Sequence, residues 1–103
     1  MAEQDIKIAR IYLREAEHLL PKIIKFLHDE EKVSGITVLR GIAGFSKDGK
    51  IHTASLVDLS MDLPLVVEFF DEPARVKAVV AKLMEQVAVT HVVILAGEMH
   101  TRE

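Results

Sequence analysis

PLVVEFFDEPARVKAVVAKLMEQVAVTHVVIL, residues 64–95, carries a strand, a helix and a second strand in succession. Pro64 opens the apolar run Leu65 to Phe70, interrupted only by Glu68 and rich in the β-branched and aromatic residues that strands favour. Asp71 or Glu72 is placed to cap a helix with Pro73 at its first position, where a missing N–H costs nothing. Val76, Val79, Val80, Leu83, Met84 and Val87 then recur at helical spacing and mark one apolar face. Val89 to Leu95 reads as the final strand, and Gly97 to Glu103 as a polar tail.

The N-terminal half has the same layout. Ile6 to Leu13 (IKIARIYL) reads as a strand with one fully apolar face and one mostly apolar face. After the polar connection Arg14 to His18, Leu20, Ile23, Ile24 and Leu27 follow helical spacing, with Pro21 in the first turn and Ser34-Gly35 ending the helix. Ile36 to Ile42 is a second strand. Ala43 to Leu63 is less regular. Ser46-Lys47-Asp48-Gly49-Lys50 holds an Asp-Gly pair that favours a tight reversal, and Ile51 to Leu59 fits either a ribbon or an exposed loop. The order β-α-β-β-α-β predicts an α+β fold. It is the ferredoxin-like βαββαβ sandwich, a four-stranded antiparallel sheet with both helices on one face. Residues 1–103 form one domain, with 44–63 a loop or ribbon inserted between the second and third core strands.

Two helices cover one face of such a sheet, and the other should alternate cleanly with polar residues if it met water. It does not. Leu65, Val67 and Phe69 hold one parity while Val66 and Phe70 hold the other; Val89, Val93 and Leu95 oppose Val92 and Ile94. An apolar surface of that extent favours self-association, so a homo-oligomer is expected.

Composition narrows the function. The chain has 103 residues, is half hydrophobic and carries a net charge of −3, so no basic stripe for nucleic acid is expected. It has no cysteine, which excludes disulfides, thiolate metal sites and cysteine nucleophiles. No apolar run approaches the roughly 20 residues of a membrane span. The acidic start, Met1 to Asp5, is unlike a secretory signal, and a cytoplasmic location is expected. His18, His28, His91 and His100 show no metal-ligand spacing, so no metal site is predicted. Ser-His-Asp order, paired-carboxylate signatures and phosphate loops do not stand out, and binding rather than catalysis is expected.

From Gly35 the text GITVLRGIAGFSKDGKIHTASLVDLSMDLPLVVEFFDEP resembles the bacterial PII-like family known as domain of unknown function 190. TVLRGIAGF, the IHTA after the short turn, and DLPLVVEFFDEP carry the resemblance, which extends over effectively the whole chain. It implies a ferredoxin-like subunit in a homotrimer whose three sheets line the centre. It also implies a signalling role: PII proteins bind nucleotides and other small effectors between subunits. Their long loop docks on transporters, channels or enzymes, and here it corresponds to Gly44 to Leu63. The effector itself is not specified, and neither is any cofactor.

Several residues are candidates for that role. Arg40-Gly41-Ile42-Ala43-Gly44-Phe45 ends a strand with two nearby glycines, which let backbone approach an anion that Arg40 could neutralise. The competing reading is a bulge that bends the strand out of the sheet. Arg40 and Glu68 together form either a structural ion pair on an apolar face or an alternative site, since buried charges are normally paired. His52 and Thr53, after the turn, can hydrogen-bond or contact phosphate. Two further classes stay open: an enzyme or metal-handling protein using the same inter-subunit cleft, and a structural assembly module.

Overall fold

The structure is a computed structural model and describes residues 2–45, 51–53 and 62–102. Strand β1 (Ala2–Arg14) leads through a 3-10 turn, Glu15–Glu17, closed by His18 at φ 56°. Helix α1 (Leu20–Lys25) has Pro21 in its first turn and widens into a π-helical turn, Phe26–Glu30. Ile23, Phe26 and Leu27, spaced i, i+3 and i+4, share the buried side. The helix ends at Lys32, in the left-handed region at φ 49°, with the Val33 N–H donating to the Leu27 carbonyl at 3.1 Å. Ser34-Gly35 is therefore not the cap: Gly35 already opens β2 (Gly35–Arg40). Short strands β3 (Ala43–Phe45) and β4 (Ile51–Thr53) pair as a separate ribbon. Then come β5 (Pro64–Asp71), α2 (Pro73–Gln86) and β6 (His91–Thr101). Among the described residues no helix is long and apolar enough to cross a membrane. The expected reversal at 46–50 and most of the ribbon to Leu59 fall outside the described residues.

The main sheet has the order β2-β5-β1-β6 with every neighbouring pair antiparallel, as the βαββαβ reading predicts. Both helices lie against one face. Ala9, Ile11 and Leu13 of β1 and Leu65, Val67 and Phe69 of β5 are buried there against Ile23, Phe26 and Leu27, and against Val76, Val79 and Leu83 of α2. Burying each large aliphatic or aromatic side chain contributes about 1.5–3 kcal/mol. This aliphatic layer is what holds the subunit together.

The opposite face carries Ile8 and Tyr12 from β1, Val66 and Phe70 from β5, Leu39 from β2, and Val93 and Leu95 from β6. Tyr12, Leu39, Val93 and Leu95 are each 40–50% exposed. At its centre Arg10 and Glu68 are register partners and form an ion pair at 3.2 Å. A hydrogen bond with Tyr12, and after it the charge of Glu68, raises the Arg10 pKa above its ordinary value. The partner of Glu68 is thus Arg10, not Arg40. The register sets Ile36 opposite Phe69, Thr37 opposite Glu68 and Arg40 opposite Leu65, so Arg40 and Glu68 leave opposite faces of the sheet.

The final strand also departs from expectation. It begins at His91, two residues later than the apolar pattern indicates, and runs to Thr101 instead of ending at Leu95. Residues 97–101 are not a tail. They pair with Ala2–Ile6, extending β1 and β6 as a two-stranded ribbon past the last β5 partner, Asp71, which lies opposite Lys7.

Candidate functional site

Beyond Arg40 the chain turns sharply away from β5, and the two glycines make the turn possible. The Gly41 N–H donates to the Pro64 carbonyl at 2.7 Å. A Cβ on Gly41 would lie 2.7 Å from Pro64 Cγ and 3.3 Å from its carbonyl oxygen, and one on Gly44 would lie 3.1 Å from Cγ. Pro64 stands at the first position of its strand, where the absent N–H is tolerated. The pyrrolidine ring is rigid, so an added methyl group must displace backbone. Gly41→Ala is expected to cost about 1–3 kcal/mol, the usual range for overpacking, measured as a lower urea midpoint at unchanged slope.

This turn forms one wall of a cleft of about 700 Å³. Tyr12 and Arg14 of β1, Val66 of β5, and His91 and Val93 of β6 supply the floor, with Gly41, Gly44 and Phe45 along the rim. All five floor residues belong to the parity that faces away from the helices. The cleft therefore opens on the uncovered side of the sheet. Its polar end is held in place by short bonds. Arg14 Nη1 donates to Asp62 Oδ2 at 2.9 Å, the Arg14 backbone N–H donates to Glu17 Oε1 at 2.8 Å, and the Ala16 N–H donates to Asp62 Oδ1 at 3.1 Å. The Glu15 N–H adds a bond to the Leu63 carbonyl at 3.0 Å. Across the cleft His91 Nδ1 lies 3.0 Å from Thr90 Oγ1, which fixes the ring and directs its other nitrogen elsewhere. An apolar basin with a guanidinium, a carboxylate, a phenol and an imidazole at its edges is suited to holding a small polar molecule by a few directed bonds.

The residues singled out from the sequence divide. Gly41, Gly44 and Phe45 line the cleft. Arg40 does not: its guanidinium is engaged by Glu15 through two contacts, Nη2 to Oε2 at 3.0 Å and a closer one from Nε to Oε1. The Glu15 hydrogen bond is the larger cause that raises the Arg40 pKa above its ordinary value. His52 and Thr53 pair through their backbone positions with Gly44 and Ala43 in the β3–β4 ribbon. Glu68 is on the same face as the cleft but outside its lining. Tyr12, Arg14, Glu17 and His91 were not singled out. The available signal was parity: Tyr12 and Arg14 alternate with Leu13 on the second face of β1.

The profile of the family described as Uncharacterized ACR, domain of unknown function 190, matches residues 6–99. A UPF0166 protein from Methanocaldococcus jannaschii is 35% identical over 83 residues, covering 77% of this chain and 76% of that protein. One from Aquifex aeolicus is 37% identical over 75 residues, covering 69% of this chain and 71% of that protein. Among solved structures, CPII bound to ADP and bicarbonate, from Thiomonas intermedia, superposes with a TM-score of 0.63 at 15% identity. That match covers 95% of this chain and 89% of the other. A candidate PII-like signalling protein from Thermus thermophilus gives a TM-score of 0.56 at 13% identity, covering 96% and 91%. At these identities the likeness to the solved structures is one of fold.

Proposed function

The chain belongs to the family of domain of unknown function 190, and on that premise we propose that it is a homotrimeric PII-like regulatory protein, not an enzyme. It binds a small anionic effector, a nucleotide or a smaller anion, in the cleft floored by Tyr12, Arg14 and His91. The carrying observation is the position of the cleft. It opens on the sheet face that no helix covers, where Leu39, Val93 and Leu95 are exposed, so a second copy seated on that face closes it. A volume of about 700 Å³ suits a nucleotide-sized ligand, within the roughly 300–1,000 Å³ of ordinary small-molecule sites. The Thiomonas neighbour, which shares the fold, was solved with ADP and bicarbonate.

The β3–β4 ribbon at the rim couples the site to the exterior. Phe45 and Ile51 are cross-strand partners, and with Ile42 they are 72–80% exposed. In this reading the 44–63 stretch presents Phe45 and Ile51, with Ile42 just before it, to a partner protein, a transporter or enzyme, and effector in the cleft resets that surface through Gly44 and Phe45.

Thermal denaturation with ADP, ATP, bicarbonate and phosphate in turn tests the reading. A ligand binding only the folded state at a hundred times its Kd adds about 2.7 kcal/mol. A clear rise in Tm with at least one anion is expected, reduced in Arg14→Ala. No shift with any of them would remove the effector role, and conversion of the stabilising ligand would replace it with an enzymatic one.

A further inference from the structure

The ribbon made by the ends of β1 and β6 carries a second cluster, distinct from the cleft. Its register sets Glu3 opposite His100 and Asp5 opposite Glu98. All four side chains leave by one face, because facing residues share a side and alternate positions repeat it. Three carboxylates and one imidazole thus occupy a two-by-two block. His100 Nε2 is 2.6 Å from Glu98 Oε1, and Nδ1 is 3.8 Å from Glu3 Oε2. One donor atom each from Glu3, Glu98 and His100 lies within 4.8 Å of the others. The block sits seven to nine ladder positions from His91, about 24–30 Å along the strands, at the far end from the cleft.

Its electrostatics call for a cation. Carboxylates directly opposed across a ladder repel, as Asp5 and Glu98 are here. Among the described residues, the ion pairs of Glu3 and Glu98 run only to His100. A neutral imidazole has a single N–H, so it can donate to one carboxylate and must turn a lone pair toward the other. A metal ion resolves both conflicts.

We propose that Glu3, Glu98 and His100 form a binding site for a divalent first-row metal ion, with Zn²⁺ as the probe. Imidazole nitrogen with two carboxylate oxygens is an ordinary donor set for such ions. One ring nitrogen ligates, and the other is left to solvent. Metal–ligand bonds of about 2.0–2.2 Å require the three donor atoms to draw closer, to about 3.5 Å from one another. All three side chains are exposed and free to make that adjustment. Water completes the coordination.

Calorimetric titration of the full chain with ZnCl₂ in a non-chelating buffer should show saturable binding of one ion per chain. His100→Ala and Glu98→Gln should each weaken it at least about tenfold, the loss that even outer-sphere partners of a metal produce. His28→Ala removes the other histidine that lies against a carboxylate, that of Asp29 at 2.7 Å, and should leave binding unchanged. Circular dichroism checks that each variant folds. Should the ladder variants misfold, Co²⁺ added to the unaltered protein should selectively shift the His100 ring resonances. The proposal is overturned by absence of saturable binding, by binding retained in His100→Ala/Glu98→Gln, by loss in His28→Ala, or by an unperturbed His100 ring.

Discussion

Leu95→Glu is expected to reduce the particle mass from about three times the 11.5 kDa chain to a single chain in light scattering at micromolar concentration. Leu95 is 41% exposed in the isolated subunit and shares the uncovered face with Val93, Tyr12 and Leu39. A trimer built on that face would bury one such glutamate per subunit among aliphatic side chains. An ionised carboxylate moved there without a partner cannot be accommodated except by neutralising it or by letting the face return to water. Dissociation is the easier course, because the helix-side core is untouched and the subunit stays folded. Met84→Glu, on the outer surface of α2 at 47% exposure, is the matched control and should leave the mass unchanged. A monomeric unaltered protein would end the trimer reading. A trimeric Leu95→Glu variant would move the interface off this face.

The sequence reached the fold because the signals were long and concordant. Leu65–Phe70, the Pro73 start and the Val76–Val87 stripe each read the same way by propensity, capping and periodicity, and the structure follows them except that Met84 is 47% exposed and Glu72 stands at the cap of α2 without a side-chain hydrogen bond. It lost accuracy where pairing, not local composition, decides conformation. Residues 97–101 read as a polar tail because Glu98, His100 and Thr101 have no apolar period. They are strand because Ala2–Ile6 supply the ladder bonds. The end of α1 was misplaced for a related reason: Gly35 resembles a helix cap, but Lys32 takes the left-handed position and frees the glycine to begin β2.

The candidate site was half legible for the same reason. The glycines of RGIAGF announce a close backbone approach, and the structure supplies it in the ring of Pro64. What they approach could not be read, since Pro64 lies 20 and 23 residues further along the chain. Arg40 and Glu68 each occupy a definite parity in their own strands. Which parity of β2 meets which parity of β5 is set by register, and a one-residue change in register reverses the answer. The register observed sends Arg40 to Glu15 and gives Glu68 to Arg10. The same dependence hid the floor of the cleft, which draws Tyr12, Val66 and His91 from three different strands, and the cluster of Glu3, Glu98 and His100 from two.

Phe69→Ala and Phe70→Ala, adjacent in one strand, should fail in different ways. Phe69 is fully buried on the helix side, between its register partners Ala9 and Ile36. Truncating a buried phenylalanine costs about 3–5 kcal/mol, through lost transfer energy and the cavity left behind. That is a large share of the roughly 5–15 kcal/mol available to a small domain. Urea unfolding of Phe69→Ala should therefore show a midpoint shifted far down, or no folded baseline. Phe70 points to the other face, beside Gly35, whose added Cβ would stand 3.6 Å from the ring. Its truncation leaves the helix-side core intact, so the subunit should lose less. In a trimer joined through that face the effect should appear instead as stronger dependence of Tm on protein concentration, because dissociation is then linked to unfolding. A Phe69→Ala loss below about 1 kcal/mol would contradict the burial of that parity beneath the helices. Equal losses for the two variants, with no dependence on concentration, would mean that both faces of β5 are covered within one chain.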